Sequence, residues 1–203
     1  MPFLEIEIRR LTPGLEEDYA RFFDETPHNN GIKCYCVTWR GDASYEGKDH
    51  WYPTPEERRA RACQFVRDGS LQGYLAYHNG KAVGWCNATG DCRAGVDYLR
   101  SFWPIEERRE ETKVKSVFCF VTAPEMRRKG IAGKLLERVV RDAAEEGYHF
   151  VEAYVCREAG ADEWRGYLEM YESQGFTVWA EREGRAVVRK ELKASWRKEP
   201  GEV

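Results

Sequence analysis

The 203-residue chain has no apolar run approaching the length of a membrane span, and its N-terminal stretch is charged from Glu5 onward. Neither a membrane span nor a signal peptide is therefore expected, and the protein is expected to be cytoplasmic. Nucleotide signatures are missing too. No G-x-x-x-x-G-K-[ST] follows a predicted strand, and no glycines fall at G-x-G-x-x-G spacing. A basic excess is absent, since the formal net charge is −3, which argues against a nucleic-acid partner. The seven cysteines are odd in number and scattered, several of them inside predicted strands or helices, a pattern of reduced thiols rather than a disulfide framework. Cys34-x-Cys36 is too closely spaced for a zinc knuckle, and no His or Cys pair at ligand spacing follows it, so no metal is expected. Internal repeats and low-complexity segments are also lacking.

What is present fits one globular domain. Hydrophobic residues make up 42% and aromatics 13%, enough for a core in a chain of this length. The organising stretch is Val117 to Leu136. A short β-branched and aromatic run, Val117–Val121, is stopped by Pro124, and Ile131, Leu135, Leu136, Val139 and Val140 then recur at helical spacing. Between them lies a glycine-punctuated turn, Arg127 to Gly133. A helix start leaves backbone N–H groups without partners at the positive end of the dipole, and Gly130 and Gly133 remove side chains from above those amides, an arrangement suited to a pyrophosphate.

Periodicity and turn signals supply the remaining elements. Phe3–Arg9 alternates as a half-buried strand, and a helix opening at Pro13 runs through Phe23. Residues 26–53 form a long loop rich in aromatics and cysteine. Thr54-Pro-Glu-Glu57 is a capping box that starts a helix to Asp68, with Arg58, Arg59, Arg61 and Arg67 on a solvated face. Gly73–His78 and Lys81–Ala88 pair across Asn79-Gly80 as a hairpin. Residues 90–112 read as a surface excursion. Phe150–Cys156 is a buried strand, a helix spans about 162–174 and ends at Gly175, and Phe176–Glu183 and Arg185–Leu192 make a last hairpin across Glu183-Gly184. A domain of residues 1–192 is thus followed by a charged tail at 193–203. The fold class is α/β (α+β), with one mixed central sheet and helices on both faces.

Arg127-x-x-Gly130-x-Ala132, following a strand, resembles the Q/R-x-x-G-x-G/A signature of the GCN5-related N-acetyltransferases, and the element order is similar to that fold over nearly the whole chain. The resemblance implies an acetyl-CoA-dependent N-acetyltransferase. Its cofactor site would use the turn Arg127, Arg128, Lys129, Gly130, Ile131, Ala132 and Gly133 for phosphate, and the backbone of Phe120 and Val121 for pantetheine. Tyr171-Glu-Ser-Gln-Gly-Phe176 resembles the family's Y-E-x-x-G-F segment, which makes Tyr171 the acid that protonates the departing CoA thiolate. A phenol is well matched to that leaving group, although a core tyrosine packed beside Phe176 would look the same in sequence. The family's strand glutamate has no counterpart at Lys113–Cys119. Ordered water, or Glu152 on the next strand, is left as the base, with a solvent-facing carboxylate the plain alternative for Glu152.

Cys34, Tyr35, Cys36 and Trp39 in the long loop, with Trp85 in Val83-Gly-Trp-Cys86, resemble a bacterial branch of the superfamily and are the candidates for the acceptor pocket, against ordinary core packing. The partner is expected to be a small-molecule or peptide amine, with no nucleic acid and no membrane, and a homodimer is left open. Two other functions are weighed against this one. The first is a catalytically silent acyl-CoA sensor, supported by the missing strand glutamate. The second is a cysteine- or metal-centred enzyme built on Cys34 and Cys36.

Overall fold

The computed structural model describes residues 4–26, 31–40, 52, 54–90, 93–106, 111–157 and 163–192; most of the long loop and the charged tail lie outside them. The strands are β1 (Glu7–Arg10), β2 (Gly73–His78), β3 (Lys81–Thr89), β4 (Val114–Thr122), β5 (Phe150–Cys156), β6 (Thr177–Arg182) and β7 (Arg185–Glu191). They form one seven-stranded sheet in the order β1-β2-β3-β4-β5-β7-β6. Neighbours are antiparallel except β4 and β5, whose parallel pairing requires a crossover. Helix α4 (Ile131–Glu145) supplies it. Both hairpins turn on pairs with positive φ, Asn79-Gly80 and Glu183-Gly184, whose twist suits the flanking strands.

Two cores lie on opposite faces of the sheet. On one, α1 (Glu16–Glu25), α2 (Pro55–Arg67) and α3 (Arg93–Arg100) bury Tyr19, Phe23, Phe65, Val66 and Leu99 against Leu75, Trp85 and Tyr154. On the other, α4 and α5 (Leu168–Glu172) bury Ile131, Leu135, Leu136, Val139 and Tyr171 against Cys86, Val117 and Val155. Helix α2 begins as the capping box requires: Glu57 N donates to Thr54 Oγ1 at 3.2 Å, and Thr54 N donates to Glu57 Oε2 at 3.0 Å.

Three expectations are corrected. The excursion at 90–112 contains α3, and Val96, Leu99, Trp103 and Ile105 from this region are buried. The helix expected over 162–174 is broken: a single 3-10 turn at Glu163–Arg165 is separated from α5 by Gly166 at φ 83°, where a Cβ would lie 2.8 Å from Met170 Cε. Arg58 does not join the solvated face. It is 5% exposed, its Nε donates to Lys33 O at 2.7 Å and its Nη1 to Tyr52 O at 2.5 Å, so it clamps the long loop onto α2.

A polar network holds α4 against the sheet edge. Asp142, 4% exposed, accepts from Arg138 Nε at 2.7 Å and from Arg10 Nη2 at 3.0 Å, and Arg10 also pairs with Glu146. Burial alone would raise the Asp142 carboxyl, but the bonds from Arg138 and Arg10 outweigh it and hold the group below its ordinary value of 3.8. A carboxyl depressed on folding stabilises the fold above its unfolded pKa, and that contribution is lost as pH falls through the folded value. Asp142→Asn should cost about 2 kcal/mol at neutral pH in urea unfolding. The difference from wild type should shrink as pH is lowered below 3.8.

Candidate active site

The site is built where β4 and β5 part. They pair only from Val114–Phe150 to Val117–Ala153, although β4 continues to Thr122 and β5 to Cys156. Beyond Val117 the β5-facing edge of β4 has no strand partner among the described residues. A bulge in β4 marks the same point, since Ala88 faces Val117 and Asn87 faces Cys119 across β3, leaving Phe118 as the extra residue. Phe118 and Cys119 consequently point to the same face, while Val117 and Phe120 point to the other. On the opposite side of the gap Trp103 Nε1 donates to Val155 O at 3.3 Å, so an indole caps the edge of β5.

A cleft of about 880 Å³ runs through this gap. Its α4 side is lined by Phe120 to Thr122 and by the turn Arg127, Arg128, Gly130, Ile131, Ala132 and Gly133. Arg128 and Gly130 are left-handed, at φ 61° and 78°, and this pair of turns brings the chain into α4 with its first amides facing outward. Among the described residues, no acceptor is found for the backbone amides of Arg128 to Gly133. The space above Gly130 is open, with nothing within 4 Å of where a Cβ would stand. Gln174 Nε2 donates to Gly133 O at 2.8 Å and ties this first turn to the end of α5. Lys129, expected in this set, is exposed and its Nζ lies 3.8 Å from Met126 Sδ. The result is a row of amides at a positive helix end, flanked by exposed Arg127 and Arg128, an arrangement whose polarity suits an anion.

The other side of the cleft is an aromatic chamber. Trp39 stacks on Phe118 with centroids 5.3 Å apart and an interplanar angle of 16°, and Trp164 and Tyr98 lie at 5.6 and 6.3 Å from it. Cys34, Cys36 and Cys119 line the same cleft, with Cys36 Sγ 2.7 Å from Cys119 Sγ. Tyr35 and Cys36 are both left-handed, at φ 48° and 54°, and this unusual backbone is what turns Cys36 toward β4. Burial pushes the Cys36 thiol well up, which keeps it protonated. No carboxylate or imidazole lines the cleft among the described residues. Among them, also, no group of three or more His, Cys, Asp or Glu is placed to hold a metal.

Comparison with known proteins bears on the fold and the family. The profile of the Acetyltransferase (GNAT) family matches residues 35–176. No curated protein matches the chain. Among solved structures, an N-acetyltransferase from Staphylococcus aureus Mu50 is similar at TM-score 0.55 and 14% identity, covering 93% of this chain and 99% of that one. The PaiA N-acetyltransferase from Thermoplasma acidophilum, in complex with coenzyme A, is similar at TM-score 0.53 and 16% identity, with 92% and 99% covered. A GNAT-family acetyltransferase from Streptococcus pneumoniae is similar at TM-score 0.52 and 19% identity, with 93% and 99% covered.

Not every residue singled out from the sequence reaches the cleft. Trp85 is fully buried, edge-on to Tyr19 at 4.9 Å, and belongs to the core behind α1. The Tyr35 side chain turns away, its hydroxyl donating to Asp24 Oδ1 at 2.5 Å. Tyr171 is fully buried beneath the Arg165–Gly166 turn, its hydroxyl donating to Arg165 O at 2.8 Å. Glu152 is fully buried rather than facing solvent. It accepts from Arg189 Nε at 2.5 Å and from the Tyr154 hydroxyl at 2.9 Å, which in turn lies 3.1 Å from Ser116 Oγ. These are the contacts of a buried ion pair joining β5 to β7. Residues that sequence reasoning missed are Trp103, Arg165 and Arg185, all on the chamber wall. Glu152→Gln should therefore weaken folding by about 3 kcal/mol, because it leaves the largely covered Arg189 without this counter-charge. Denaturant unfolding measures this, and unchanged stability with abolished turnover would instead make Glu152 the base.

Proposed function

We propose, for a chain that belongs to the GNAT acetyltransferase family, that it transfers the acetyl group of acetyl-CoA to an amine by direct attack on the thioester. The observation that carries this reading is the row of unpartnered amides from Arg128 to Gly133 beside the open edge of β4. The pyrophosphate would take those amides, and the pantetheine arm would add to β4 at Phe120 and Val121 as an extra strand does. The thioester would then reach the gap between β4 and β5 from the α4 face, while the amine approaches from the aromatic face. Holding the two reactants on opposite sides of one gap supplies orientation, the larger part of such catalysis. With no carboxylate or imidazole among the described lining residues, the amine gives up its proton to water.

Tyr171 is assigned the proton for the leaving thiolate. Burial pushes its phenol well above the ordinary value of 10.0, so at neutral pH it carries a proton to give. At rest its hydrogen is held by the Arg165 carbonyl. To reach sulfur the hydroxyl would have to leave the Arg165 carbonyl and the Arg165–Gly166 turn above it would have to move aside, while the ring stays against Phe176, 5.3 Å away. The lack of a base in the described lining favours one other reading, a silent acyl-CoA sensor.

Acetyl-CoA at 100-fold excess over Kd should stabilise the protein by about 2.7 kcal/mol, read as a rise in Tm. Gly130→Glu should abolish that rise, since it sets an anion in the open space above the amides; no shift in the wild type rejects the reading. Tyr171→Phe should keep the acetyl-CoA shift and lose roughly 10²- to 10⁴-fold in kcat on an accepted amine. Equal kcat for the two proteins would reduce Tyr171 to packing, and CoA binding without turnover of any amine would favour the sensor.

A further inference from the structure

Two guanidinium groups meet on one indole in the aromatic chamber. Arg165 lies 4.1 Å from the centroid of Trp103 and Arg185 5.2 Å from it, with Arg185 also 5.6 Å from the ring of Phe102. Trp103 is 4% exposed and fixed by its bond to Val155 O, so the platform is rigid. Arg185 opens β7 opposite Cys156, the last residue of β5, on the aromatic side of the gap. Arg185 is half-buried, lines the cleft, and enters no hydrogen bond or ion pair among the described residues. An aromatic face holds a guanidinium without using up its N–H donors, which form a fork that matches a carboxylate.

From this we infer that the acceptor is an amine that also carries a carboxylate, with Arg185 gripping the carboxylate and an apolar body lying among Trp39, Tyr98 and Phe102. The inference rests on the acetyl-transfer reading and names the substrate class of that same site. The Arg185 guanidinium at the chamber wall, with no acid among the described lining residues, disfavours polyamines and aminoglycosides, whose charges would face a like charge. An amino acid with an apolar side chain satisfies both features. Its carboxylate pairs with the fork, its side chain covers indole and phenyl surface, and its amine is left to point through the gap toward β4. Arg185 is thus a specificity-determining residue and takes no part in the chemistry.

The test is a thiol-release assay with acetyl-CoA and matched acceptors: phenylalanine and leucine, their amides, phenethylamine, spermidine and phosphoethanolamine. The free amino acids should show kcat/KM roughly 10- to 100-fold above their amides and above phenethylamine, the range of one charge-assisted hydrogen-bonded pair. Arg185→Gln should erase that preference through the acceptor KM and leave the acetyl-CoA KM unchanged, and Arg185→Lys should restore part of it. Preference for an amide, for phenethylamine, for spermidine or for phosphoethanolamine overturns the inference, as does a preference that survives Arg185→Gln. If no amine is turned over, calorimetry on the CoA-saturated protein decides: millimolar phenylalanine binding to wild type and not to Arg185→Gln supports the inference, and absence of binding to wild type rejects it. Failure of acetyl-CoA itself to raise Tm is a separate result that rejects acetyl transfer, so the two failures are told apart.

Discussion

The parting of β4 from β5 after four paired residues is the constraint on which the site depends. A sheet that stays paired is closed to ligands, because every backbone group along the strand is taken by its neighbour. Here the bulge at Phe118 bends β4 away, the strand edge opens, and the gap becomes a passage between the two faces. Each flanking element answers a need created by that opening. Trp103 takes the carbonyl that β5 would otherwise leave bare, and Gly166 breaks the following helix so that the Arg165 carbonyl can come down onto Tyr171. Such backbone groups cannot be left buried and unmade without cost, so they must be met by side chains or by a ligand.

Charge is distributed to match the two mouths of this passage. At the α4 mouth the positive end of a 15-residue helix is reinforced by exposed Arg127 and Arg128. At the other mouth Arg165 lies against Trp39, Trp103 and Trp164, and Arg185 against Phe102 and Trp103. Between them the lining is thiol, aromatic and aliphatic. The network of Arg10, Arg138 and Asp142 lies away from this passage and keeps α4 seated on the sheet, so that the amides at its start stay in place.

Much of the fold was legible because its signals are local. The capping box at Thr54, the Asn79-Gly80 and Glu183-Gly184 turns, and the apolar run of β5 are each decided by residues a few positions apart, and each is found where the pattern places it. Helix α3 escaped notice because it spans only eight residues and its apolar side amounts to Val96 and Leu99, too short a stretch for period to stand out from the charge around it. In the site, the Arg127 to Gly133 turn was legible and so were Cys34, Cys36 and Trp39, which do line the cleft. Trp85, Tyr35 and Glu152 were not separable from them by type. An indole, a phenol or a carboxylate looks alike in sequence whether it faces a ligand or a core.

By itself the sequence determined the order of the strands and of every helix but α3, the family signature, the glycine-lined helix start and the absence of a carboxylate at Lys113–Cys119, all properties of neighbouring residues. Only the tertiary structure decided that Glu152 meets Arg189, that Arg165 and Arg185 converge on Trp103, and that Cys36 faces Cys119. The physical reason is register. Which residue stands opposite Val117 is settled by how far β5 slides along β4 under the packing of α4, and a shift by one position would exchange the residues facing the two cores. Backbone preferences act over a few residues and leave that choice to the burial of side chains brought together from distant parts of the chain.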